Sequence, residues 1–308
     1  DAIMAARVST LPATAFLPLP VPLTLGGQPR RVGVEIEFTR LSERRAAEIL
    51  MREAGGTLRE EDPHAFHVVG SRLGDLCVEL DMRHAHPHRD GHPLPRLRPH
   101  ARLIGAALRP FVPRELVTGP ILPADLREID DLVGALRKEG AGGDGATVFG
   151  SLGLHFNIVP ASLEPASLLA LLRAFLVCEP RLRVQALTGL SRLHAPPPYP
   201  QDYVEKVLSP AYRPDLEALC DDYVGANPMR QRSLDLLPLF LKLFPERVAR
   251  RISGKVKPRA ALHYRLPVAR VGRPGWSLAG DWNRWVEVER LAADPRKLAA
   301  AVARRAPL

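Results

Sequence analysis

Glu35 and Glu37 alternate with Val34, Ile36 and Phe38 in the stretch RRVGVEIEF. In a strand, successive side chains point to opposite faces, so the apolar trio shares one face and the two carboxylates the other. The same device recurs along the chain. Glu79 and Asp81 oppose Val78, Leu80 and Met82, and His155 and Asn157 oppose Leu154, Phe156 and Ile158. His263 and Arg265 oppose Leu262, Tyr264 and Leu266, while Glu287 and Glu289 oppose Val286 and Val288. Like charges on neighbouring strands destabilise a sheet when they sit directly opposite each other. A face carrying this many carboxylates therefore calls for cations among them. Oxygen donors with one imidazole suit Mg²⁺ or Mn²⁺ better than Zn²⁺, which favours Cys and His. The arginines interleaved nearby would face an anionic ligand carried by those ions, most simply a nucleotide polyphosphate such as ATP.

The elements that must position these residues follow from periodicity and punctuation. A strand is expected at 32–38, then a helix over SERRAAEILMREA, capped by Ser42 and stopped by Gly55-Gly56. Strands are expected at 76–82 and 150–160, with a helix between them over PADLREIDDLVGALRKEG. Residues 163–250 read as mostly helical, including one helix from Asn227 that carries Arg230 and Arg232 in its first turn. Positive charge there opposes the helix dipole, so either an anionic partner or Asp235 offsets it. Strands resume at RAALHYRLP and WNRWVEVERLA, and a short helix starts around Asp294-Pro295. Strands at both ends around a helical middle give one α+β domain over 31–308 with a helical insertion around 163–250. Residues 1–30 read as a Pro-rich extended arm rather than a signal peptide.

Composition narrows the class. The chain has 308 residues, 46% hydrophobic and 25% charged, enough for a sizeable core. A net charge of +9 invites a nucleic-acid reading, but the basic residues are scattered and aromatics reach only 6%, too few for a stacking platform. Nucleic acid is not the expected partner. Cys77, Cys178 and Cys220 are odd in number, widely spaced and without a CxxC, which fits a reducing cytoplasm. Cys178 and Cys220 lie in apolar helical patterns and read as core. No stretch has the length of a membrane-spanning helix. The run of His84, His86, His88 and His92 among prolines reads as a solvent-exposed loop rather than a dedicated zinc site. KEGAGGDGATVFG lacks a phosphate-loop signature and reads as a connector.

The ordered set VGVEIEF, ELVTGPIL, GLHFNIVP, NPMRQRSLDLLPLF, RAALHYRLP and WVEVERLA resembles the putative amidoligase family, of the glutamine synthetase and glutamate–cysteine ligase superfamily. The resemblance covers roughly residues 30–295. It implies a glutamine synthetase-like curved antiparallel sheet with helices on its outer face. It also implies an ATP-dependent ligase that joins a small-molecule or peptide carboxylate to an amine through an acyl phosphate. By that resemblance Glu35, Glu37, Glu115, His155 and a late glutamate hold the metals, with Glu79 near a second acidic strand. The late glutamate is Glu287 or Glu289. Arg259 and Arg265 are implied for phosphate or the developing acyl phosphate. His263 shares the polar face with Arg265 and joins the catalytic candidates. Asn157, Arg230 and Arg232 are candidates for the nucleotide. A nitrogen phosphotransferase on the same fold, and a non-catalytic basic binding protein, are the alternatives.

Overall fold

The computed structural model describes residues 15–81, 86 and 112–305. The first strand, β1 (Val32–Phe38), leads through the Ser42-capped helix α1 (Glu43–Ala54) to three antiparallel strands, β2 (Thr57–Asp62), β3 (Ala65–Ser71) and β4 (Gly74–Leu80). Ser42 accepts the Arg45 N–H, and Gly55 ends α1 with a φ of 75° that a side chain would resist. After β5 (Arg114–Thr118) come α2 (Leu126–Lys138), β6 (Leu154–Ile158) and the 22-residue α3 (Pro165–Ala186). The helices α4 (Gln201–Leu208) and α5 (Leu216–Ala226) follow. The chain closes with β7 (Leu234–Asp235), α6 (Leu237–Leu243), α7 (Pro245–Ala249), β8 (Leu262–Tyr264), α8 (Ala279–Ala292) and α9 (Pro295–Arg305).

All eight strands form one open antiparallel sheet in the order β2-β3-β4-β5-β1-β6-β8-β7. The mixed architecture expected from the sequence is present, with β1 at the centre between β5 and β6. One face is apolar: Val34, Ile36, Val78, Leu116, Phe156 and Tyr264 are all buried. Helices cover it, and aromatic contacts lock the layers. The Phe156 ring lies 5.7 Å from Trp282, and Tyr264 lies 5.2 Å from Trp285.

Two expected elements differ. WNRWVEVERLA is the helix α8 rather than a strand. Trp282, Trp285, Val286 and Glu289 recur at helical spacing and face α3 and the sheet, so the Val-Glu alternation is incidental to a 3.6-residue period. The helix expected from Asn227 does not form. Asn227 ends α5, and residues 228–233 are irregular. β7 follows, and Pro238 and Pro245 each begin a short new helix instead of lying inside a long one. Between α1 and β4 the sequence reading left out a hairpin, β2–β3.

The described part of the N-terminal arm is extended and fastened to α8. Leu17 accepts the Trp282 indole N–H and donates its own N–H to Asn283. Arg30, 1% exposed, grips both oxygens of Glu289 at 2.7 Å. Among the described residues no helix is long and apolar enough to cross a membrane.

Candidate active site

The uncovered face of the sheet is the floor of a cleft of about 690 Å³. Strand register arranges its polar side chains in rows. Glu79, Glu115 and Glu37 stand directly opposite one another across β4, β5 and β1. The adjacent row runs His67, Cys77, Val117, Glu35 and His155, from β3 to β6. A third row places Asn157, His263 and Asp235 side by side on β6, β8 and β7. Residues from both ends of the chain thus converge on Glu35.

Glu35 is the hub. Its Oε1 accepts Asn157 Nδ2 and Arg259 Nη1, each at 2.9 Å. Its Oε2 lies 3.2 Å from His155 Nδ1 and 3.8 Å from His263 Nε2. Burial acts to raise the Glu35 carboxyl, but the hydrogen bond to His155 and the neighbouring His263 and Arg259 hold it well below the usual range. With Glu35 ionised, that contact draws the imidazole proton of His155 to Nδ1. Burial keeps His155 neutral, and burial together with Arg265 does the same more strongly for His263. Ligand-type atoms of Glu35, His155 and His263 lie within 4.8 Å of one another. Gly153 makes room for this arrangement, since a Cβ there would fall 2.7 Å from His155 Cε1.

The carboxylate row behaves oppositely. Burial, with Asp81 next, pushes Glu37 up to about 8, and Arg265 and a backbone hydrogen bond from Gly153 offset this only partly. Burial and four surrounding carboxylates raise Glu115 well above the ordinary value. Asp81 is raised by burial and by Glu79 and Glu35, although its side chain still reaches solvent at the end of β4. Without a cation this floor favours protons; a cation would supply the missing positive charge. The opposite wall is basic, with Arg230, Lys255, Lys257, Arg259 and Arg265. Four buried polar atoms in or beside the cleft have no hydrogen-bond partner among the described residues: Asn157 Oδ1, Asp235 Oδ2, His263 Nε2 and Arg265 Nε. Buried polar groups normally find a partner, so four orphans around one cleft fit a ligand site.

Of the expected metal residues, Glu35, Glu37, Glu79, Glu115 and His155 line the cleft, as do the expected Arg230, Arg259, His263 and Arg265. Asn157 sits beside it, bonded to Glu35. Three candidates do not belong. Glu287 is on the exposed face of α8 and pairs with Arg181 at 2.9 Å. Glu289 is buried beneath the sheet, saturated by Arg30 and the Trp285 indole. Both fall because the segment is helical and packs on the covered side. Arg232 bonds Asn227 Oδ1 at 2.7 Å and the carbonyls of Pro197 and Pro198, and lies over the Tyr199 ring. It ties loops together, because its supposed helix turn does not exist.

The sequence reading also missed members. His67 repeats the alternating device, between Phe66 and Val68, and was legible had the hairpin been read. Asp235 sits on a strand of two residues, too short for any period. His86 is buried, with Nδ1 2.6 Å from Asp62 and Nε2 3.0 Å from the Leu80 carbonyl, and it lines the cleft. It is not the exposed loop histidine expected. His84, His88 and His92 lie outside the described residues. Cys220 is buried and Cys178 packs against the core, as expected, while Cys77 faces the cleft.

The family model described as "Putative amidoligase enzyme" matches residues 28–287, and the chain belongs to that family. Membership supports an amide-bond-forming, ligase-type enzyme. No significant match was found among curated proteins or among solved structures.

Proposed function

We propose that the protein is an ATP-dependent carboxylate–amine ligase that uses Mg²⁺ or Mn²⁺ and a glutamine synthetase-like sheet. The observation that carries this is the division of one cleft into an acidic floor and a basic wall. Neither half is balanced alone, and divalent cations with a polyphosphate would neutralise both. Glu37, Glu79, Glu115 and Asp81 offer only oxygen, which suits Mg²⁺; Glu35 with His155 and His263 suits a transition ion such as Mn²⁺. The ions would supply charge neutralisation for phosphoryl transfer.

The protein's own groups do the positioning. Asn157 and His155 hold Glu35 in a fixed orientation. Arg265, fixed by its backbone N–H on the Ser233 carbonyl, aims a guanidinium into the cleft where charge spreads over the transferring phosphoryl oxygens. Transfer to a substrate carboxylate gives an acyl phosphate, which an amine attacks with loss of phosphate; no protein nucleophile is needed. The test is ATP turnover with Mg²⁺ or Mn²⁺ against panels of acids and amines, read by product mass. An amide product with phosphate released supports the proposal. Phosphate appearing on the amine would assign a phosphotransferase instead. Salt-sensitive nucleic-acid binding without turnover would refute both.

A further inference from the structure

Asp235 is 1% exposed, yet it lines the cleft. Its Oδ1 accepts the Leu237 N–H at 2.9 Å, which anchors the carboxylate at the entry to α6. Its Oδ2 has no hydrogen-bond partner among the described residues. Arg265 and Arg230 act on it electrostatically, but neither forms an ion pair with it. Arg265 Nε is also unpartnered, so two opposite charges face the cleft without closing on each other. A buried carboxylate oxygen left without a donor carries a desolvation penalty, which a bound N–H or O–H would remove. Asp235 does not belong to the Glu35, His155 and His263 cluster that could share one ion.

We propose that Asp235 Oδ2 is the acceptor that binds and orients the N–H of the attacking amine, taken as the neutral amine rather than the ammonium ion. This rests on the ligase function proposed above. An ammonium group there would be repelled by Arg265 and Arg230. A neutral amine donates one hydrogen to Oδ2 and keeps its lone pair for attack; as the C–N bond forms and the acyl C–O bond breaks with phosphate leaving, that hydrogen passes as a proton to Oδ2. Asp235 thus selects the nucleophile, while Glu35, Glu37 and Arg265 serve the phosphoryl end.

Asp235→Asn tests this. The amide oxygen can keep the Leu237 N–H, which turns an NH₂ donor into the cleft where the amine's own N–H would point. Asp235→Ser, a second variant able to cap Leu237, keeps the fold and removes the acceptor. The probe is hydroxylamine, with ATP, Mn²⁺ and a mixture of proteinogenic amino acids as carboxylate donors; hydroxamate and phosphate are both measured. The KM for hydroxylamine should rise about tenfold or more in both variants, with the KM for ATP unchanged and the melting temperature no lower than wild type. An unchanged hydroxylamine KM overturns the inference alone. An equal rise in the ATP KM also overturns it and assigns Oδ2 to a nucleotide hydroxyl. Wild-type protein that releases no phosphate in response to any carboxylate overturns the ligase function, and this inference with it.

Discussion

Replacing Glu37 by Gln should stabilise the metal-free protein at pH 8 and abolish its response to Mg²⁺. Glu37 is 8% exposed, stands opposite Glu115, and titrates at about 8 instead of 4.5. Between those values the folded state binds a proton that the unfolded state releases, so stability falls as pH rises. The slope is about 1.4 kcal/mol per pH unit for one such group, about 5 kcal/mol over the whole window. Side chains relieve part of this by turning toward solvent, and half of it corresponds to roughly 5 °C in melting temperature for a chain of this size. Gln can still accept the Gly153 N–H but has no charge to lose. Melting curves in chelator at pH 5 and pH 8, which span about 3.5 kcal/mol of that window, should therefore show a decline of roughly 3 °C attributable to Glu37 in wild type and absent in the variant. With Mg²⁺ the order reverses, since an ion that binds only the folded state stabilises wild type and loses a ligand in the variant. A variant with the wild-type pH slope, or with a full Mg²⁺ response, would refute this account of the acidic floor.

Four further substitutions separate the site from its supports. Arg265→Lys loses the planar guanidinium fork and should lower turnover about a hundredfold while changing ATP affinity little, as measured by steady-state kinetics beside direct binding. Gly153→Ala puts a Cβ against the His155 ring and should abolish the Mn²⁺-dependent thermal shift in a protein that still folds, as judged by circular dichroism. Glu289→Gln leaves Arg30 buried against a neutral partner and should cost about 3–5 kcal/mol in denaturant titrations with the metal response retained, whereas Glu287→Gln should stay within about 0.5 kcal/mol.

The sequence by itself determined the parts whose information is local. Period-two alternation placed Glu35, Glu37, Glu79, His155 and His263 on the polar faces of true strands, and the apolar sides Val34, Ile36, Val78 and Phe156 are buried as that pattern requires. Ser42 and Gly55 bounded α1 correctly, because capping and left-handed turns depend on the residue and its immediate neighbours. The motif order identified the family.

Tertiary structure decided the rest. Residues 285–289 alternate like a strand, and only packing against α3 and the arm makes them helical; the partner of Glu289 is Arg30, 259 residues away. Arg259 reaches Glu35 across 224 residues, and the coincidence of Glu35 with His155 and His263 depends on β1, β6 and β8 being neighbours. Asp235 shows the limit most sharply. One of its oxygens is bound two residues along the chain, and the other is left facing a cleft whose carboxylate row comes from β4, β5 and β1, on the other side of β6 and β8. Periodicity says which face a residue takes; it says nothing of which other faces will be brought to meet it, because that is fixed by strand order and by the helices that close over the apolar side.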